Sequence, residues 1–239
     1  MKTVEQVPEY IRSLIPYEPG KPIEEVEREH GIANSVKLAS NENPLGPSPK
    51  ALAAIREKMD QLNLYPDGDC FYLKRGLSHK LGVDPEMLIF GNGSNEIIEL
   101  AARTFIRPGD EAVMAEQAFV VYQLIVQAAG GHSRAVPLKT FTHDLPALAE
   151  AVSPRTRMVF LANPNNPTGT IFRREEWERF LAKVSRDVLL IVDEAYFEYV
   201  RDPEYPDSLR YHRNSRAMIT LRTFSKLYGL AGLRIGYGI

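Results

Sequence analysis

The chain has 239 residues, 44% hydrophobic and 25% charged, which is ordinary for a globular protein and enough to bury a sizeable core as one large domain. A net charge of −2 leaves no electrostatic footprint for nucleic acid or an anionic membrane surface, and no apolar run is long enough to span a bilayer. The single cysteine, Cys70, excludes an internal disulfide, which with the absence of an apolar segment near Met1–Gln6 fits a reducing cytoplasm, and His30, His79, His132, His143 and His212 lie too far apart in sequence to suggest a metal site.

Residues 1–35 are rich in Pro, Glu and Gly and read as an N-terminal arm with one short helix at Ile23–Glu29; residues 36–239 read as a single larger unit. Helices are expected over Ala51–Met59 and Phe71–Leu81, followed by a short apolar run at Met87–Phe90. Ile98, Ala101, Ala102 and Phe105 have helical spacing within Asn95–Phe105, and Arg107-Pro108-Gly109-Asp110 ends that helix before a strand at Glu111–Ala115. Phe119–Ala129 reads as a helix stopped by Gly130-Gly131. Met158–Ala162 and Val188–Val192 are continuous apolar runs of strand length, suited to a parallel sheet covered on both faces. Between them Trp177, Phe180, Leu181 and Val184 form an apolar stripe at i, i+3, i+4, i+7, so the three segments read as a right-handed strand–helix–strand crossover. Ala217–Leu221 and Arg234–Gly238 complete an α/β pattern, a mostly parallel sheet covered by helices.

In such sheets ligands bind beyond the carboxyl ends of the strands. Three polar segments occupy that position: Asn163–Gly169, Asp193-Glu194-Ala195-Tyr196, and Thr223-Phe224-Ser225-Lys226. A lysine amine condenses with an aldehyde, and pyridoxal phosphate is the common biological aldehyde of this kind. Its chemistry assigns a role to each polar residue. Lys226 binds the aldehyde carbon and then serves as general acid and base; Asp193 pairs with the pyridinium nitrogen; Asn166 and Tyr196 hydrogen-bond the phenolic oxygen. Ser225, and Arg234 eight positions after the lysine, suit the phosphate. Gly91–Glu96 follows a strand and opens a helix, so its free N–H groups make an anion site, although Glu96 stands where a dinucleotide fingerprint has its third glycine. Phe119 is placed to stack on the cofactor ring. Each residue also has a plainer reading: Asp193 as a helix cap, Asn163–Gly169 as an ordinary turn, Ser94 as an N-cap, Phe119 as core and Lys226 as a solvated lysine. Their joint placement at strand exits favours the cofactor.

The chain resembles class I/II, fold-type I pyridoxal phosphate-dependent aminotransferases, and within them the histidinol-phosphate aminotransferase branch. The resemblance rests on Asn41-Glu42-Asn43-Pro44, Tyr65-Pro66-Asp67-Gly68, Gly91–Glu96, Asn163–Gly169, Asp193–Tyr196 and Ser225–Arg234. It implies the large domain of a pyridoxal phosphate-dependent transferase, a cytoplasmic homodimer, and transfer of an amino group from histidinol phosphate to 2-oxoglutarate. It further implies that Ser94 and Asn95 bind the cofactor phosphate beside Ser225 and Arg234, that Tyr65 reaches the partner subunit's cofactor phosphate and that Pro16-Tyr17, with Asn166, contacts substrate. Many relatives carry tyrosine where this chain has Phe119, which keeps stacking and loses a hydroxyl. Aromatic aminotransferases and a threonine-phosphate decarboxylase share most of these motifs. A non-catalytic domain that only binds the cofactor is a further alternative. Relatives continue into a smaller C-terminal domain carrying the arginines that grip substrate, whereas this chain stops 13 residues after Lys226. A C-terminal truncation with little turnover is therefore expected.

Overall fold

The computed structural model describes residues 3–214 and 216–239. Its elements in chain order are α1 (Glu9–Arg12), α2 (Ile23–His30), α3 (Pro49–Lys58), α4 (Phe71–Leu81), β1 (Ile89–Asn92), α5 (Ser94–Phe105), β2 (Glu111–Ala115), α6 (Val121–Ala128), β3 (His132–Val136), α7 (Leu145–Glu150), β4 (Thr156–Ala162), α8 (Arg174–Lys183), β5 (Leu189–Asp193), β6 (Met218–Thr223) and β7 (Ile235–Gly238), with short 3-10 turns between them. The seven strands form one sheet in the order β1-β7-β6-β5-β4-β2-β3. β7 alone runs antiparallel, against both β1 and β6. The fold is thus α/β with a mostly parallel sheet.

The apolar runs behave as their lack of alternation implies: β4 and β5 are buried on both faces. Met158, Phe160 and Ala162 face a core completed by Ile97, Ile98, Ala101 and Ala102 of α5 and Tyr122 and Val126 of α6. Val159 and Leu161 face the opposite core, filled by Leu145 and Leu148 of α7 and Trp177 and Phe180 of α8. Period-two alternation in one strand therefore feeds two helical layers. Among the described residues no helix is long and apolar enough to cross a membrane.

The structure differs from the sequence expectations at several points. β3 has no counterpart among them: it is an edge strand whose first four residues are exposed, so His132-Ser133-Arg134 carry no apolar signal. α7 likewise has no counterpart among them, although Asp144 caps it by accepting from Ala147 N at 3.1 Å. α6 begins at Val121, which leaves Phe119 in the turn before it. In α5 the N-cap position belongs to Gly93 and Ser94 is the first helical residue, which removes the reading of Ser94 as a routine cap. The arm holds the short helix α1 in addition to α2, and Gln127 of α6 ties α1 down by donating to the carbonyl of Tyr10.

Candidate active site

Parallel strands all end on the same sheet edge, so β1, β2, β4, β5 and β6 deliver their following loops to one side. β7 is antiparallel and starts there, which brings Arg234, the residue before it, to the same edge. The result is a cleft lined by Gly93, Ser94, Asn95, Phe119, Tyr122, Asn166, Asp193, Tyr196, Ser225, Lys226 and Arg234, among others. Nine of the residues singled out from sequence meet in it: Ser94, Asn95, Phe119, Asn166, Asp193, Tyr196, Ser225, Lys226 and Arg234.

Lys226 is half-buried in the loop after β6. The segment 40–47 straps that loop down. Lys226 Nζ donates to the Ser40 carbonyl at 3.1 Å, Asn43 Nδ2 donates to the Leu227 carbonyl at 2.7 Å, and Asn41 Nδ2 donates to the Tyr196 hydroxyl at 2.9 Å. Gly229 lies against Gly46 so closely that a Cβ would fall 2.5 Å from the Gly46 backbone, and its φ of +67° adds a second reason for glycine. This clamp gives the Asn-Glu-Asn-Pro motif a physical role. Burial pushes the Lys226 amine below the ordinary lysine range; Asp193 and Glu42 pull it back up, and Arg234 adds to the depression. The amine also sits 5.6 Å from the centre of the Tyr196 ring.

Asp193 ends β5 and is only 8% exposed. Its Oδ2 accepts from the Tyr122 hydroxyl at 2.6 Å and its Oδ1 from the Ala195 N–H at 3.1 Å. Burial raises its pKa, while the Tyr122 bond, the Ala195 N–H and the charge of Lys226 oppose the rise. A buried carboxylate of this kind favours a cation beside it. Phe119 packs edge-on to Tyr122 and forms part of the cleft wall. Nothing in the sequence marks Tyr122 as part of the site, because a tyrosine on the apolar stripe of a helix reads as core.

At the other end of the cleft, two glycines allow a close approach of backbone and guanidinium. A Cβ on Gly93 would lie 2.6 Å from Arg234 Nη2, and one on Gly236 would lie 2.3 Å from Ser94 N. Gly93 N donates to the Arg234 carbonyl at 2.8 Å, which locks β7 to the start of α5. The first turn of α5 thus presents unsatisfied N–H groups beside a guanidinium, a combination that binds anions. Arg234 Nη1 is 3.5 Å from the Ser225 hydroxyl, a long contact. Glu96 is occupied elsewhere, since its carboxylate accepts from the N–H of Asn92, the last residue of β1, at 2.6 Å.

Asn166 and Tyr196 line this cleft and an adjoining one that also includes Asn41, Tyr199 and Arg201. Neighbouring Asn165 is fixed by His143, Gln117 and Thr168, and Asn163 by both the N–H and the carbonyl of Phe172. These bonds make Asn163–Gly169 a braced loop. Tyr17 and Tyr65 are not brought into the cleft: Tyr17 is largely exposed and Tyr65 fully so. Asp67 explains the local shape near Tyr65, since its carboxylate accepts from the backbone of Asp69 and Phe71 and starts α4.

Comparison with known proteins yields a consistent set of likenesses. The family model described as "Aminotransferase class I and II" matches residues 33–239. A histidinol-phosphate aminotransferase of Moorella thermoacetica is 55% identical over 238 residues, covering 99% of this chain and 62% of that protein. One from Caldicellulosiruptor saccharolyticus is 50% identical over 231 residues, covering 97% of this chain and 64% of its own length. The crystal structure of histidinol-phosphate aminotransferase from Sinorhizobium meliloti in complex with pyridoxal-5′-phosphate superposes with a TM-score of 0.87 at 31% identity, covering 98% of this chain and 62% of that one. The chain therefore spans somewhat less than two thirds of the length of these relatives.

Proposed function

We propose a pyridoxal phosphate-dependent transamination for this chain, which belongs to the class I and II aminotransferase family. Its cofactor is pyridoxal 5′-phosphate. The residues present fit that group: a lysine with a depressed pKa, a buried carboxylate short of a cation, and an anion cradle cut by Gly93 and Gly236 face one cleft. When bound, the cofactor supplies an aldehyde for amine exchange and a ring that withdraws electrons from the substrate's α-carbon.

In this reading each side chain has a defined task. The α5 N-terminus, Ser94, Asn95, Ser225 and Arg234 bind the phosphate. Asp193 holds a proton on the ring nitrogen through its negative charge. Asn166 and Tyr196 hydrogen-bond the phenolic oxygen, and Phe119 covers one ring face. Lys226 holds the aldehyde and, once released by the incoming amine, carries the α-proton. The burial that lowers its pKa raises its neutral fraction near pH 7, as a general base requires.

The substrates we propose are histidinol phosphate as amino donor and 2-oxoglutarate as acceptor, yielding imidazole-acetol phosphate and glutamate. The identities of 50–55% to proteins named for that activity support this choice. We place the chain in the cytoplasm as a homodimer, with residues 1–35 as an arm on a cofactor-binding unit of 36–239, Tyr65 directed to the partner's phosphate site and Tyr17 to substrate. The observation that carries the proposal is the convergence of Lys226 and Asp193 in one cleft with Arg234 at its far end. The test is a half-reaction: histidinol phosphate is mixed with the cofactor-loaded chain and the loss of the cofactor's visible band is followed. A change with histidinol phosphate that Lys226→Ala abolishes supports the reading. A response only to aromatic amino acids or to threonine phosphate, or none to any amine, overturns it.

A further inference from the structure

We infer that Tyr122 is a positioning residue that keeps Asp193 charged and thereby keeps the proton on the cofactor's ring nitrogen, an inference that rests on the cofactor reading above. The tyrosine is 1% exposed, and its hydroxyl donates to Asp193 Oδ2 at 2.6 Å. Its ring is stacked on Phe160, with centroids 4.8 Å apart and planes at 14°, and Phe119 packs edge-on at 5.7 Å. These contacts fix the direction of the O–H bond. Burial and the nearby carboxylate push the phenol far above its ordinary pKa, so it remains a donor throughout the working pH range.

The groups facing Asp193 come from three elements: Tyr122 of α6, the Ala195 N–H with the Tyr196 ring after β5, and Lys226 after β6. Of these, the Ala195 N–H and Tyr122 donate directly, one to each carboxylate oxygen. The Lys226 charge is not a fixed contribution, because the same amine is consumed when it holds the aldehyde and is neutral when it acts as a base. Tyr122 is therefore the side-chain donor that stays in place through the reaction. A hydrogen bond to a charged group shifts a proton equilibrium by roughly 10- to 100-fold, or about one to two pH units. Without it Asp193 becomes more basic and competes with the ring nitrogen for their shared proton.

The test uses the chain loaded with pyridoxal phosphate labelled at the ring nitrogen, with the protonation state read by nitrogen NMR across pH. Tyr122→Phe keeps the ring stack and removes the hydroxyl. The expected result is a smaller share of ring nitrogen protonated on the acid side of the titration, the ratio of nitrogen-bound to Asp193-bound proton falling by roughly 10- to 100-fold, with roughly 10-fold weaker cofactor binding. A merely structural role moves the melting temperature and leaves that share in place. A fluorinated tyrosine at position 122, a stronger donor of nearly the same volume, is expected to raise the share and covers the case in which the phenylalanine variant folds poorly. An unmoved share in both variants, with ring protonation lost in Asp193→Asn, overturns the role of Tyr122 and leaves the cofactor reading standing. A ring nitrogen that stays protonated in Asp193→Asn overturns the reading of Asp193 and this inference with it.

Discussion

Lys226 Nζ donates to the main-chain carbonyl of Ser40, 186 positions earlier in the chain, at 3.1 Å. A neutral carbonyl gives the amine a partner without the charge that would fix it as an ammonium. Burial lowers the lysine pKa, and Ser40 holds the amine over the cleft without reversing the shift. Borohydride reduction of the cofactor-loaded chain followed by peptide mapping is expected to place the pyridoxyl label on Lys226. A label on another lysine, or none with cofactor in excess, contradicts this.

The strap that carries Ser40 depends on Gly229, where a Cβ would meet the Gly46 backbone at 2.5 Å. Gly229→Ala is expected to destabilise the chain by about 1–3 kcal/mol, since it combines a positive φ with a backbone clash. Thermal denaturation should show a drop of roughly 5 °C. Gly232→Ala is the control, because a Cβ there meets nothing within 4 Å. Equal melting temperatures for the two variants would show that segment 40–47 yields without cost.

The anion cradle predicts a ligand-dependent effect. Arg234→Ala is expected to weaken binding of pyridoxal phosphate by about 10-fold, the weaker end of what a hydrogen bond to a charged group is worth. Binding of pyridoxal, which has no phosphate, should change little. Fluorescence or absorbance titration with both compounds separates the outcomes, and equal losses would place Arg234 away from the phosphate.

His143 makes stability depend on pH. It is buried, its Nε2 lies 3.1 Å from Asn165 Oδ1, and among the described residues its Nδ1 has no hydrogen-bond partner. Burial lowers its pKa below the ordinary 6.5. The unfolded chain therefore binds a proton at a pH where the folded chain does not, so folding stability falls as pH decreases from about 6.5 towards the depressed folded value. Half-buried His212 acts in the same direction, through burial first and Arg222 second. Melting temperatures between pH 7 and pH 5 should decline for the unaltered chain and decline less for His143→Gln. Parallel curves for the two would rule out His143 as the source.

Tyr65 stands fully exposed among other exposed apolar side chains, Leu62, Leu64, Phe71 and Tyr72. Exposed apolar side chains this close in sequence suit the proposed dimer contact. Sedimentation equilibrium is expected to find dimers, and Tyr65→Asp is expected to shift them towards monomer and weaken cofactor binding. A monomer at all concentrations would rule out the proposed reach into a partner's site.

The buried centre of the fold was legible in the sequence because β4 and β5 have both faces covered, so nothing polar interrupts their runs. Lys226, Asp193 and Asn166 were legible as candidates because chemistry-bearing residues directly follow strands, and a parallel sheet sends those exits to one edge. β3 was hidden by its exposure at the sheet edge, and α7 by its brevity. Other relationships depend on distances that no local pattern encodes. The Tyr122 hydroxyl finds Asp193 only because α6 packs against the face of β4 and β5, and the strap from Ser40 finds Lys226 only when the chain has closed a long loop. Sequence by itself determined which residues carry apolar surface, charge and reactive atoms, since these are properties of single side chains and their local spacing. Tertiary structure alone decided which of those atoms face one another, because the antiparallel entry of β7 and the layering of helices on the sheet set directions in space that neighbours along the chain do not share.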